Sequence, residues 1–432
     1  MRRRSVHAVL AFLIVALILL PQAAAGPRSR STARPPVLGP YVPDEVLVKF
    51  RPGINADTTA RAVGGRVHER IEGLDVHLLK VAEGTVEATL RALRSNPLVE
   101  FAEPNGYVRA FLNPDDPYDD PASCPYQSSD GSFTCQWFWA KVQAYAAWDV
   151  TTGNCTNVAV VDTGIDVGYL FDPFAPDYTP HPDLHEPACS PTLIKSYVSG
   201  ESGNDDHGHG THIAGTIAAR TNNGVGIAGA SWKTRLIGVK VLNWYGSGSW
   251  AQVANGIRYA ADNGAKVINL SLGGSTGSRT LRNAVDYAWN KGAVLVCAAG
   301  NGGNTAASYP AFYTNCLAVA ASDQNDNRPS WSTYGSWVEV AAPGESIFST
   351  MQDTFEWCSL CWLYGYFEGY DTLSGTSMAT SVVSGLAALI WASGLCSTNS
   401  CVRSRIQSTA DPVAGGWVVY GRVNFLKAVT PP

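Results

Sequence analysis

The chain has 432 residues, 45% of them hydrophobic, and a formal net charge of −5. That length accommodates one large domain with a full core plus a smaller unit, and the apolar content excludes a disordered chain. The charge is uneven: residues 1–40 hold six arginines and no acid, residues 41–111 nine basic against ten acidic residues, and residues 112–432 sixteen basic against twenty-six acidic. An acidic main part argues against nucleic acid and anionic membrane as partners and suits bound cations.

Met1-Arg2-Arg3-Arg4 is basic, Ala8 to Leu20 is almost wholly apolar, and Ala23-Ala24-Ala25 offers an A-x-A-like cleavage site. Residues 1–25 therefore read as a secretory signal peptide, too short for a comfortable membrane span, so a secreted, extracellular protein is expected. Residues 26–40 have no periodicity and read as a flexible arm. Residues 44–50, 66–70, 75–81 and 98–102 read as strands and 55–64 and 85–95 as helices. The order β-α-β-β-α-β is a compact ferredoxin-like unit. Its place between signal and main domain suits a prodomain, although a regulatory or binding module fits the pattern too.

Trp137 to Trp148 reads as a helix. From Asn157 onward, apolar runs at 157–162, 193–198, 235–241, 266–272, 293–298 and 317–321 alternate with helical segments. Fully apolar strands at that spacing mean an α/β fold with a doubly wound parallel sheet, whose ligand site lies beyond the carboxyl ends of the strands. The ten cysteines all fall after the first hundred residues; an even number in an exported chain suggests up to five disulfides. Cys358-Ser359-Leu360-Cys361 has zinc-ligand spacing, but no second ligand pair is evident beside it.

Four stretches carry chemistry. Val158-Ala159-Val160-Val161-Asp162-Thr163-Gly164 is a buried strand ending in an acid, although an aspartate before glycine also caps turns. Asp205-Asp206-His207-Gly208-His209-Gly210-Thr211-His212 leads into a small-residue helix. His209 there can be a general base, or it can pair with His212 on a metal. Ala298-Ala299-Gly300-Asn301 places an amide donor after a strand. In Leu373-Ser374-Gly375-Thr376-Ser377-Met378-Ala379-Thr380, Ser377 stands at the first turn of a long apolar helix, where free N–H groups favour developing negative charge. Acid, base, amide donor and nucleophile together are what serine acyl transfer needs, and the chain order Asp, His, Ser separates this set from the chymotrypsin and α/β-hydrolase orders.

On these motifs, together with Asn269 to Gly274, Tyr287 to Gly292, Asp323 to Asn327 and Ser332 to Trp337, the sequence from about Pro114 to Ala428 resembles the subtilisin-like serine proteases of the thermitase-like kind. Residues 41–105 look like the inhibitory propeptide of that family. The resemblance implies an autoprocessed zymogen cut after about Phe111, with a propeptide domain at 41–111 and a peptidase domain at 112–432. It implies that Asp162 orients His209, His209 activates Ser377, and Asn301 with the Ser377 N–H holds the oxyanion. Substrate is expected as an added strand between Gly246-Ser247-Gly248 and Ser271-Leu272-Gly273. Ser308 is expected at the floor of the first specificity pocket, with no acid matched there and hence an apolar or aromatic preference. The resemblance also implies a structural calcium held by Asp116, Asp183, the Asn223 side chain and the carbonyls of Arg220, Val225 and Ile227. A second calcium loop, matched by Lys195 to Asn204, has mostly lost its acids. Expected partners are protein or peptide substrates and the chain's own propeptide; a monomer with no separate anchoring domain is expected.

The sequence departs from the family in three places. Ser381-Val382 replace the usual Pro-His after the nucleophile. Residues 354–370 form a longer segment rich in Trp, Tyr, Phe and Cys, which could wall the cleft, bind a partner or close on itself as an Ω-loop. Most cysteines are unmatched. Proximity in the family's fold suggests Cys124–Cys135, Cys155–Cys189, Cys297–Cys316 and Cys396–Cys401, leaving Cys358 and Cys361 to each other or to a partner. A catalytically inactive scaffold is the alternative reading. A sedolisin-type acid peptidase is disfavoured by His209.

Overall fold

The computed structural model describes residues 41–71, 75–106, 114, 116–119, 135–167, 181–184, 189, 192–352, 358–367 and 369–431. The expected signal peptide, the arm, the cut near Phe111 and Cys124 lie outside them. The chain divides into two compact units, up to Val108 and from Arg109.

The first unit runs β1 (Tyr41–Phe50), α1 (Ala56–Ala62), β2 (Arg66–Ile71), β3 (Val76–Lys80), α2 (Val86–Arg94) and β4 (Val99–Gly106). Its sheet has the order β2-β3-β1-β4, antiparallel throughout, as the β-α-β-β-α-β pattern implies. Period-two alternation on β1 turns Val46, Val48 and Phe50 inward, where they meet Leu90 and Leu93 of α2.

The second unit opens with α3 (Trp137–Lys141) and α4 (Ala144–Trp148). The single helix expected from Trp137 to Trp148 is thus two. Gln143 breaks it with a left-handed backbone, φ 59°, and the freed Val142 carbonyl accepts the Phe425 N–H at 2.8 Å. The chain continues through β5 (Gly153–Asp162), β6 (Leu193–Ser196), α5 (His209–Ala218), β7 (Lys233–Lys240), α6 (Trp250–Asp262) and β8 (Val267–Leu270). There follow α7 (Arg279–Asn290), β9 (Val294–Ala298), β10 (Cys316–Ser322), β11 (Val340–Pro343), β12 (Ile347–Thr350), α8 (Ser359–Tyr364) and β13 (Tyr370–Leu373). The unit closes with α9 (Thr376–Ser393), α10 (Asn399–Ser408), β14 (Gly421–Arg422) and α11 (Phe425–Val429).

Eight strands form one sheet in the order β14-β11-β10-β9-β8-β5-β7-β6, and every neighbouring pair in it is parallel. Both faces are covered, so alternate residues of one strand enter different cores. Val158 and Val160 of β5 pack with α5 and α9, whereas Ala159 and Val161 pack with α6 and α7. The six apolar runs became six strands of this sheet. The chain lays down β6 and β7 on one side of β5 and β8 to β11 on the other, so the order reverses at β5, where such folds bind ligands. Strands β11 and β14 were not anticipated, being short and, in β14, without an apolar side chain. Helix α9 is apolar enough to span a membrane, but 78% of it is buried inside the protein; it is the core helix.

Disulfides join Cys155–Cys189, Cys297–Cys316, Cys358–Cys361 and Cys396–Cys401, and Cys135 is disulfide-bonded as well. The first, second and fourth are the expected pairs, and Cys358 and Cys361 take each other. The long segment before Ser377 is an excursion between β12 and β13, which pair antiparallel. Ser381-Val382 fit within α9, with the Ser381 hydroxyl back-bonded to Met378 O at 2.6 Å and Val382 buried.

Candidate active site

Asp162 is the last residue of β5 and is fully buried. Its Oδ1 lies 2.7 Å from His209 Nδ1 and accepts the Thr163 N–H at 2.8 Å. His209 opens α5 after Gly208, whose backbone is left-handed. The next residue must be glycine: a Cβ on Gly210 would stand 2.0 Å from the Gly164 carbonyl oxygen. Gly210 N–H instead donates to Thr163 Oγ1 at 2.9 Å, so the loop after β5 and the start of α5 are one packed unit.

Burial alone would lower the His209 pKa, but the charge and hydrogen bond of Asp162 and the charge of Asp205 outweigh it and hold the ring above its ordinary 6.5. The other two histidines of the motif behave differently. Burial pushes His212 down to about 3, with His209 adding to the fall, and its Nε2 lies 3.0 Å from Ile347 O. Burial likewise lowers His207 to about 4. His212 is a neutral core residue bonded to the backbone, which gives the metal-pair reading no support.

Ser377 is the second residue of α9. Its hydroxyl donates to Ser271 O at 3.1 Å, and the Ser271 hydroxyl donates to Ser377 O at 2.9 Å. Asn301 follows β9. Its Oδ1 accepts both Thr376 N–H and Thr376 Oγ1–H at 2.9 Å. Because the carbonyl end of the amide is occupied, the Nδ2 end is the one presented to the cleft.

The Gly246–Gly248 and Ser271–Gly273 segments line one cleft of ≈ 680 Å³ together with His209. Ser271–Gly273 also border a neighbouring cavity of ≈ 400 Å³, which Ser308, Asn301 and Ser377 line and to which no acidic side chain among the described residues contributes. Gly273 is required there, since a Cβ would meet Ser308 Oγ at 2.8 Å.

The expected calcium ligands also cluster. Asp116 and Asp183 are buried at 2% and 1% exposure. Asp116 accepts the N–H groups of Asn222 and Asn223, at 2.9 and 3.2 Å. Asp183 accepts Ile227 N–H, Asn223 Nδ2 and the Tyr370 hydroxyl. Burial, aided by the Asp116 charge, pushes the Asp183 carboxyl up to about 7. Two buried carboxylates beside the 220–227 loop are hard oxygen donors of the kind calcium takes, and each of their oxygens here accepts a hydrogen bond from that loop or from Tyr370. One detail differs from the expected ligation: the Asn223 Oδ1 accepts Val225 N–H at 2.9 Å, and its NH₂ faces Asp183.

Two supporting residues had no signal in the sequence beyond their adjacency to motifs. Thr376, buried, aims Asn301 and also accepts Gly300 N–H at 3.1 Å. Lys240, the last residue of β7, is fully buried. Its Nζ donates to Thr163 O (2.8 Å), Leu242 O (2.9 Å) and Asp206 Oδ1 (2.6 Å), with Glu201 Oε2 at 3.1 Å. It joins the strand end that carries Asp162 to the loop that carries His209.

A buried acid on an imidazole, a serine at a helix start and a held amide at the carboxyl edge of a parallel sheet are the parts a serine hydrolase site requires. Known proteins narrow the class. Residues 153–424 match the Subtilase family and residues 27–105 the Fervidolysin N-terminal prodomain. The chain is 42% identical over 404 residues to the thermophilic serine proteinase of Bacillus sp. (strain AK1), covering 91% of this chain and 88% of that one. It is 47% identical over 292 residues to thermitase of Thermoactinomyces vulgaris, covering 67% of this chain and 94% of that one. Among solved structures, a protease from Pseudoalteromonas arctica PAMC 21717 superimposes with a TM-score of 0.61 at 29% identity, over 74% of this chain and 99% of that one. The chain belongs to the subtilase family: it is a thermitase-like serine endopeptidase with a propeptide.

Proposed function

We propose that the protein is a secreted, calcium-stabilised endopeptidase that works through Asp162, His209 and Ser377 and matures by cutting itself. The observation that carries this is the 2.7 Å bond between buried Asp162 and His209, on a cleft that shares the Ser271–Gly273 wall with the cavity that Ser377 and Asn301 line. Asp162 keeps the His209 proton on Nδ1, leaving Nε2 as the base. The Ser377 hydroxyl turns from Ser271 O to His209, gives up its proton and attacks the scissile carbonyl. The oxyanion is held by Asn301 Nδ2 and the Ser377 N–H at the start of α9. His209 then protonates the leaving amine, and water resolves the acyl-enzyme by the same route.

Substrate lies as a strand between Gly246–Gly248 and Ser271–Gly273, and its reacting residue fills the cavity at Ser308. Among the described residues no acid lines that cavity, so the reading is an apolar or aromatic residue before the cut. Calcium, when bound between Asp116, Asp183, Asn223 and the carbonyls of Arg220, Val225 and Ile227, supplies positive charge against two buried acids. Residues 41–111 are the inhibitory propeptide and 112–432 the peptidase, and the active form is a monomer.

The test is the intact mass and N-terminal sequence of protein expressed from Gly26, wild type against Ser377→Ala, each with calcium and with chelator. Loss of the first unit in the wild type alone, with a new terminus just after Phe111, supports the reading. If both proteins stay full length in calcium, Ser377 is not a working nucleophile.

A further inference from the structure

The excursion between β12 and β13 is rooted at both ends. Bonds that prolong the β12–β13 ladder close its base, Met351 N–H to Gly369 O at 2.6 Å and Gly369 N–H to Gln352 O at 3.0 Å. Its returning limb is held by Phe367 N–H on the carboxylate of buried Asp371 at 2.8 Å. The start of α8 meets the loop before His209. Ser359 N–H donates to Asp206 O at 3.2 Å and Leu360 N–H to His207 O at 3.1 Å, so two donors that a first helical turn leaves unpaired find partners there. Gly208 lets the two pieces close up, since a Cβ on it would stand 3.1 Å from Met351 Cε and 3.3 Å from Cys358 Sγ.

The Ser359 side chain reaches a different loop. Ser359 is 1% exposed, and its hydroxyl donates to Trp244 O at 2.7 Å. Trp244 lies in the turn that leads into Gly246–Gly248, the edge assigned to substrate. Asn243 builds that turn: its Oδ1 accepts the N–H groups of Tyr245 and Ser247 at 3.0 and 3.1 Å, and its N–H donates to Ser247 O at 2.9 Å. These bonds shape the turn without tying it to the rest of the protein, and Tyr245, Ser247 and Gly248 are exposed. The Ser359 hydroxyl supplies such a tie from a buried position. Gly246 in turn packs on the histidine loop, a Cβ on it standing 2.9 Å from His207 Nε2.

We propose that Ser359 is a positioning residue for substrate binding: its N–H on Asp206 O and its hydroxyl on Trp244 O hold the histidine loop and the substrate edge at one fixed separation. This rests on the reading of Gly246–Gly248 as that edge. Ser359 touches none of the reacting atoms and acts through the Trp244–Gly248 turn. An edge ordered before substrate arrives forms its backbone bonds without a further loss of freedom. Released from Ser359, the turn must be ordered anew by each substrate, and that cost falls on binding. His209 keeps its bond to Asp162, so the chemical step is spared.

The experiment compares the wild type with Ser359→Ala on two peptide amides of the same scissile sequence. One extends on both sides of the scissile bond and reaches Gly246–Gly248; the other is cut down to the residues flanking the bond and does not. In Ser359→Ala, KM for the extended peptide rises about three- to tenfold, one hydrogen bond's worth, while kcat and the pH half-point of kcat/KM stay at their wild-type values. The short peptide is cleaved as by the wild type. An equal rise in KM on the short peptide overturns the proposal, because Ser359 then supports the fold at large. Unchanged KM on both peptides overturns it too, as does a lower kcat with a shifted half-point, since the bond then serves His209. If Ser359→Ala does not fold, Cys358→Ala/Cys361→Ala carries the test. It keeps the Ser359 hydroxyl but removes the disulfide and the Cys358 Sγ that accepts Cys361 N–H at 3.1 Å, the two features that fix the turn presenting it. A rise in KM confined to the extended peptide supports the proposal there, and an unchanged KM overturns it. Titration of the extended peptide into Ser377→Ala, with and without Ser359→Ala, reads the same difference without chemistry. Weaker binding in the double variant holds even if Ser377 proves not to be the nucleophile, so failure of the positioning role and failure of the catalytic reading are separable.

Discussion

Replacing Lys240 by Met keeps the length of the side chain and removes one buried charge. The ammonium makes three hydrogen bonds, to Thr163 O, Leu242 O and Asp206 Oδ1, and has Glu201 Oε2 3.1 Å away. Without it, two backbone carbonyls lose a charged donor, and each buried group left unsatisfied costs about 1–3 kcal/mol. The two carboxylates are partly exposed, 21% for Asp206 and 29% for Glu201, so water recovers part of their loss. The sum is about 3–5 kcal/mol, the usual cost of breaking a buried ion pair from one side. Catalysis should suffer as well, because Thr163 O and Asp206 flank the two ends that bring Asp162 to His209. A displacement of the base by a fraction of an ångström lowers kcat by about ten- to a hundredfold, with KM little changed. Stability is measured by denaturant unfolding in the Ser377→Ala background, since an active protease digests its own unfolded molecules and turns an equilibrium into a rate. Kinetics are measured on the single variant with a short peptide amide. A loss below about 1 kcal/mol, the value of an ordinary surface pair, would refute the claim that this ammonium ties the two ends together.

Thr376→Val removes the hydroxyl that bonds Asn301 Oδ1 and leaves the Thr376 N–H in place; kcat should fall about tenfold, one hydrogen bond's worth, and a rise in KM at constant kcat would mean that Thr376 serves substrate binding instead. His209 must be neutral to act, and its pKa lies above 6.5, so kcat/KM should fall as pH drops with a half-point above 6.5; a profile flat to about pH 5.5 contradicts this base. Asp162→Asn removes the charge that opposes burial, so that half-point should move below its wild-type position while kcat falls about 10⁴-fold. Chelation should shorten the half-life at elevated temperature, and added calcium at about a hundred times its dissociation constant should restore about 2.7 kcal/mol. Asp183→Ala should be short-lived with or without calcium, and a wild type indifferent to chelator would rule out a stabilising ion at Asp116 and Asp183.

What could be read from the sequence, and what could not, divides along the range of the interaction. Period-two alternation on β1 and the fully apolar run on β5 are local, so the ferredoxin-like unit and the parallel sheet were both legible. The stretch from Trp137 to Trp148 reads as one helix because its break depends on a distant partner. Gln143 accepts left-handed backbone where Phe425 and Asn424, late in the chain, bond Val142 O and the Gln143 side chain. The same holds in the site. Asp162, His209, Asn301 and Ser377 announce themselves because each sits among glycines and small residues at an element's edge. Lys240 gives no such signal, since a lysine at a strand end reads as a solvated terminus. Only the parallel register that sets Asp162 opposite Lys240 turns it inward, onto the carbonyl of the residue after the acid. Thr376 is hidden for a similar reason, its partner Asn301 being 75 positions away. The groups that would perform the chemistry are thus legible one at a time, while those that hold them in register emerge only once the sheet is assembled. Substitutions at Lys240 and Thr376 therefore test the assembled site, rather than the motifs, more directly than substitutions in the triad itself.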